Sequence, residues 1–158
     1  MQLGHQIVPP IPSLFTFSIP SPELSSCAGI ALDNVKIRLL CDTHSFIQIG
    51  TVLITHWGLS GPAILRLSAF AARVLNKNKY RGSLRINWLD IDSLLVKESF
   101  TKYRYLAAKK HLLNACPFPQ MPKRLWSILL KEAGINISTK WAELPNSSEK
   151  RLCQKLIS

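Results

Sequence analysis

The 158 residues contain no Gly-x-Gly-x-x-Gly anywhere, and their seven glycines are scattered. A dinucleotide pyrophosphate therefore has no visible place to approach the backbone closely. No Cys-x-x-Cys or Cys/His cluster occurs at zinc-ligand spacing: Cys27, Cys41, Cys116 and Cys153 are far apart. The N-terminus lacks the basic and apolar regions of a secretory signal, so reduced thiols in a cytoplasmic protein are expected rather than disulfides. The uncharged interval Thr43–Leu65 is the nearest approach to a long hydrophobic run. His44, Gln48, His56, Gly58, Gly61 and Pro62 break it too often for a membrane span. Acidic residues are scarce, nine against twenty Lys and Arg, for a net charge of +11. Up to residue 60 the only basic residues are Lys36 and Arg38, so the excess lies in the remainder. Such an asymmetry fits an anionic surface, a solvated helical face or an acidic neighbour equally well. No RNA- or DNA-binding signature accompanies it, and nucleic acid is not an expected partner.

What is present is a globular composition, 47% hydrophobic and 18% charged. The patterning predicts an α+β fold: a small antiparallel β-sheet or barrel subdomain with one helix over 1–92, then an all-α helical subdomain over 93–158. Strands are expected at Ser13–Ile19, at Asn34–Cys41, where Val35, Ile37 and Leu39 alternate with Lys36, Arg38 and Leu40, at Phe46–Thr55 with a bulge or turn at Gly50, and at Gly82–Leu89. The helix of the first part runs Pro62–Leu75, with Ala63, Leu67, Phe70 and Val74 as its buried stripe and Arg66 and Arg73 on the wet edge.

In the second part, Ser93 caps a helix extending to about Asn114, with Leu95, Phe100, Tyr103, Leu106 and Leu113 apolar, and Cys116-Pro117-Phe118-Pro119 ends it. Pro122 opens a further helix that Gly134 closes, with Leu125, Ile128, Leu129 and Ala133 inward. Trp126 and Trp141 read as packing residues. A last helix begins near Pro145, capped by Asn146 or Ser147, and carries Leu152 and Leu156.

Residues 50–65, GTVLITHWGLSGPAIL, hold the best candidate site. A β-branched strand runs into Gly58 and Gly61, Ser60 is a candidate N-cap, and Pro62 starts the helix. Free N–H groups at such a helix start, with His56 and Ser60 beside them, can face an anion or a carbonyl. Equally, many junctions of this kind bind nothing. Ser60 lies in Gly-Leu-Ser-Gly-Pro, not in a Gly-x-Ser-x-Gly nucleophile elbow. No triad, carboxylate pair or metal cluster gives the chain a self-contained active site, and no catalytic residue is assigned.

Two motifs carry a resemblance: Leu3-Gly4-His5, Ile7-Val8-Pro9-Pro10 and Pro12-Ser13-Leu14 early on, then Thr55-His56, Gly58, Ser60-Gly61-Pro62-Ala63 and Leu65. Together with Met121–Ile135 and Trp141, this pattern resembles the FAD-binding flavoproteins of the aminoacetone-oxidase-like, BaiN-like oxidoreductase family. The resemblance implies the domain inserted into the FAD-binding domain, without that domain itself. It further implies a cap that shapes the flavin and substrate pocket and is not catalytic alone. FAD would belong to the intact parent and not to this chain by itself, with Thr55, His56, Gly58, Ser60 and Gly61 facing the cofactor or substrate. The implied partner is an FAD-binding domain, in the same or a separately encoded chain. An exposed docking face would also favour self-association. The alternatives are an independent interaction module and a basic nucleic-acid-binding module.

Overall fold

Prolines at 20 and 22 end a two-residue strand, β1 (Phe17–Ser18), ahead of one helical turn, α1 (Pro22–Ser25), capped by the Ser21 hydroxyl, which accepts from the Leu24 N–H. In the computed structural model, which describes residue 4 and residues 7–157, the chain then builds a long hairpin, β2 (Ala31–Cys41) and β3 (His44–Thr55). A short strand β4 (Gly58–Ser60) follows, then helix α2 (Pro62–Lys77) and strand β5 (Ser83–Asn87). All pairings are antiparallel, in the order β1-β4-β3-β2-β5. The sheet curls into a half-barrel, with Val35, Ile37, Leu39 and Cys41 of β2 on its buried concave face and α2 packed into it.

Three expectations for this part need correction. The strand foreseen at Ser13–Ile19 shrinks to Phe17–Ser18: Leu14 takes a φ of 57°, and the Phe15 N–H donates to Ser68 Oγ on α2 instead of to a neighbouring strand. The bulge foreseen at Gly50 lies across from it, on β2. There the register shifts between Leu32 and Val35, Asn34 takes a φ of 54°, and Gly50 pairs regularly with Val35. On α2 the buried stripe comprises Ala63, Ile64, Leu67, Ser68, Ala71, Ala72 and Leu75, while Phe70 is 69% exposed. The small residues Ala71 and Ala72 allow the helix to lie close to the sheet, and that rotates the bulkier Phe70 outward.

The remaining helices are α3 (Ser93–Leu106), α4 (Lys123–Glu132) and α5 (Asn146–Ile157), with 3-10 turns at Leu112–Asn114 and Trp141–Glu143. Asp92, not Ser93, caps α3 by accepting from the Leu95 N–H. The helix stops at Leu106 rather than near Asn114, and no breaker residue stops it. Backbone groups of the next segment are claimed by the chain around Trp141: Leu112 N–H bonds the Thr139 carbonyl, and the Lys110 and Ala108 carbonyls accept from Trp141 and Ala142. On α3, Val96 and Phe100 are buried while Leu95 and Leu106 face outward. Pro122 precedes α4, and Gly134, at φ 68°, follows its C-cap, as the sequence indicates.

One buried cluster runs from Val35 and Ile37 in the sheet through Phe100, Trp126 and Trp141 to Leu156. Arg104 links α3 to α5, donating to Glu149 at 2.7 and 3.1 Å and to the Leu144 carbonyl at 2.6 Å. Among the described residues no helix is long and apolar enough to cross a membrane.

All four cysteines are free thiols. Burial pushes the Cys116 thiol up to about 11, opposed only in part by backbone hydrogen bonding at Phe118, and burial also raises Cys27 and Cys153. A thiol held neutral in the fold stabilises it fully below the unfolded value of 9.0, and that contribution is lost as pH rises toward the folded value. The urea midpoint is therefore expected to fall between about pH 9 and pH 11, with Cys116 accounting for about 2–3 kcal/mol. Cys116→Ala should remove that part of the slope, which unfolding curves at several pH values across the window will show.

Candidate functional site in the hairpin before helix α2

The sequence reads a strand, a glycine turn and a helix over residues 51–65; the structure inserts a hairpin. Thr55 pairs with Gly58 across the two-residue turn His56-Trp57, and β4 returns along β3 before α2 begins. The Thr55 hydroxyl donates to the Gly58 carbonyl at 3.1 Å and braces the turn. Two further bonds hold the tip from below: Ser25 Oγ donates to the His56 carbonyl at 2.8 Å, and the Ile19 N–H to the Trp57 carbonyl at 2.9 Å. With both carbonyls occupied, the tip offers its side chains. His56 is exposed, and Trp57 is 57% exposed, which is rare for the residue with the largest apolar surface.

Ser60 does not cap α2. The N-cap is Gly61, at φ 99°, which makes no side-chain bond, while Ser60 remains the last residue of β4 opposite Leu53. Thr55, His56 and Gly58 thus share the turn, whereas Ser60 and Gly61 sit at the other end of β4, at the root of the helix. His5 and Leu3 of the first motif lie outside the described residues. Trp57 escaped the sequence reading because it occupies a position between motif residues. Its signal was an aromatic residue placed beyond the end of a strand, where no core needs it.

Both glycines are required by the chain's own backbone. A Cβ on Gly58 would lie 2.2 Å from the Phe17 carbonyl oxygen, and one on Gly61 would lie 2.9 Å from the Leu53 nitrogen and the Thr51 oxygen. The space a side chain would fill is occupied by strands β1 and β3, so these glycines do not fit a pyrophosphate cradle. What the hairpin can offer a ligand is an edge: an imidazole and an indole on a tip braced by three hydrogen bonds.

The concave side of the half-barrel holds a cavity of about 810 Å³ between the edge strands β1 and β5, lined by Phe17, Leu39, Ile86, Trp88, Leu125 and Leu129 among others. Glu132 and Lys155 pair at 3.0 Å and both border it. No residue from Thr55 to Gly61 lines this cavity. Among the described residues no group of three or more His, Cys, Asp or Glu could hold a metal ion.

The family profile described as HI0933-like protein barrel and H2TH domain matches residues 11–158. Over 71 residues the chain is 38% identical to the ribosomal RNA dihydrouridine synthase of Haemophilus influenzae, a match that covers 44% of this chain and 17% of that protein. The chain thus spans less than a fifth of that relative's length. With the half-barrel and its helices accounted for over almost the whole chain, this protein belongs to the HI0933-like, BaiN-like FAD-dependent oxidoreductase family, and residues 11–158 are its barrel and H2TH insert domain.

Proposed function

We propose that the chain is the cap of an FAD-dependent oxidoreductase, covering the flavin of a neighbouring FAD-binding domain and shaping the substrate side of its pocket. Family membership over residues 11–158 carries this reading. On this reading the hairpin faces the flavin, with Thr55, Gly58, Ser60 and Gly61 setting the backbone and His56 supplying a hydrogen bond to a flavin or substrate oxygen. Trp57 adds an apolar surface that excludes water from the same place. The redox chemistry is the flavin's, and this chain contributes orientation and seclusion.

The test uses the full-length parent, which carries the flanking sequence. His56→Ala is expected to lower the rate of flavin reduction or of substrate turnover about 3- to 10-fold, the worth of one hydrogen bond of roughly 1 kcal/mol. Trp57→Ala should act in the same direction. Unchanged flavin content and reduction rate in both variants would remove the hairpin from the pocket.

Contrary to the expectation from sequence that nucleic acid is not a partner, a specific observation favours RNA as the substrate class. The relative's name gives ribosomal RNA as its substrate and dihydrouridine as its product. Dihydrouridine arises from uridine by adding two hydrogens across the C5–C6 double bond, a reduction suited to a flavin. This chain also carries eighteen of its twenty basic residues from Gly61 onward, against six acidic ones. RNA phosphates need such a surface even where no short binding motif is present.

A further inference from the structure

The convex face of the sheet holds an arrangement that folding alone disfavours. Buried Ile37 and Leu39 flank Arg38 on β2, and Leu84 and Ile86 flank Arg85 on β5, so both arginines point to the opposite, solvent side. They are direct cross-strand partners. Side chains so paired start about 5 Å apart, and like charges at that position destabilise a sheet. Nothing offsets the repulsion: among the described residues neither arginine makes an ion pair or a side-chain hydrogen bond, and the nearby Asp90 is engaged by Lys36 at 3.7 Å. The same row continues to Ile47 on β3, paired with Arg38, and the next row joins Ile49 to Lys36. Ile47 and Ile49 are 43% and 45% exposed, so two guanidinium groups lie beside an open aliphatic strip.

We propose that this face docks the phosphate backbone of RNA, with Arg38 and Arg85 together gripping one or two adjacent phosphates and Ile47 and Ile49 lying against the sugars. The proposal rests on the reading of RNA as the substrate class. Charge complementarity selects the occupant: two forked guanidinium groups side by side match phosphate oxygens, and an anion seated between them relieves their mutual repulsion. The grip is sequence-independent and sets the register of the RNA on the cap, while base recognition belongs to the pocket.

The experiment measures binding of a fluorescein-labelled RNA stem–loop to the 158-residue chain by anisotropy over a salt series. Arg38→Gln with Arg85→Gln is expected to weaken binding about 10-fold or more and to flatten the log–log salt slope by about 1–2, since each of the one or two neutralised phosphates contributes about 0.9. Lys109→Gln with Lys110→Gln removes the same charge from an exposed stretch elsewhere and should leave both quantities within about 2-fold of the parent chain. Each single variant, Arg38→Gln or Arg85→Gln, should also raise Tm by about 1–3 °C, because it removes a repulsion. Equal losses from the arginine and lysine pairs would reduce the effect to net charge and overturn the proposal. So would a fall in Tm with unchanged RNA affinity. Flavin content of the full-length parent is read separately: a parent without flavin refutes the cap assignment, whatever the anisotropy shows.

Discussion

Gly58→Val is expected to cost at least about 3 kcal/mol of stability and to detach the first strand from the sheet. The cause lies in the backbone. Gly58 has a φ of 150°, and its missing Cβ would stand 2.2 Å from the Phe17 oxygen, 2.7 Å from the Ile19 nitrogen and 3.1 Å from the Ser18 Cα. All three are main-chain atoms of the segment that forms β1, so no rotamer change gives relief. That strand's backbone joins the sheet through the pairings Phe17 with Leu59 and Ser18 with Gly58, beside the Ile19 N–H to Trp57 carbonyl bond. Urea unfolding should show a lower midpoint, and hydrogen exchange should show a fast Ile19 amide. Gly134→Ala provides the contrast: its φ of 68° is strained for alanine, but the nearest atom to a Cβ is Arg151 Nη2 at 3.7 Å, an ordinary contact, so a loss of about 1 kcal/mol is expected. Should Gly58→Ala fold normally and yet empty the full-length parent of flavin, the glycine would be serving the cofactor after all.

That contrast also marks how far residue patterns reach. Period-two alternation identifies β2 because one face of the curled sheet is buried and the other wet, and Pro122 with Gly134 brackets α4 because their backbone preferences are local. The hairpin at His56-Trp57 was not legible. Its turn has no Asn-Gly or Asp-Gly signal, and Gly58 is required by β1, a segment some forty residues away in the chain. The end of α3 was equally hidden, since hydrogen bonds from residues near Trp141 stop it and no local breaker does. The Arg38–Arg85 pair depends on strand register, which a single strand's pattern cannot supply. Local chemistry writes element type, then, while the site depends on which strands cross and in what register.

Trp126→Ala is expected to cost about 4–5 kcal/mol, the upper end for losing a buried aromatic and a large part of a domain's usual 5–15 kcal/mol. Trp126 is fully buried on α4, its ring edge-on to Phe118 with centroids 6.4 Å apart, and its indole N–H donates to the Leu112 carbonyl at 2.8 Å. Truncation opens a void and also weakens the satisfaction of that carbonyl, which would keep only the longer 3.3 Å bond from the Ala115 N–H. Trp126→Phe separates the two losses: the ring remains and only the hydrogen bond goes, for about 1 kcal/mol plus a smaller volume term. The same helix ties the helical elements to the loop before β2 through Arg124, whose guanidinium donates to the Ala28 carbonyl at 2.9 Å, and Leu125 and Leu129 wall the cavity of the half-barrel. Loosening α4 should therefore lower the urea midpoint monitored by far-ultraviolet circular dichroism and raise the accessibility of that cavity to an apolar dye. A loss below about 1 kcal/mol for Trp126→Ala would place the anchor of the helical elements elsewhere, with Trp141 and its contacts to Phe100 and Tyr103 next in line.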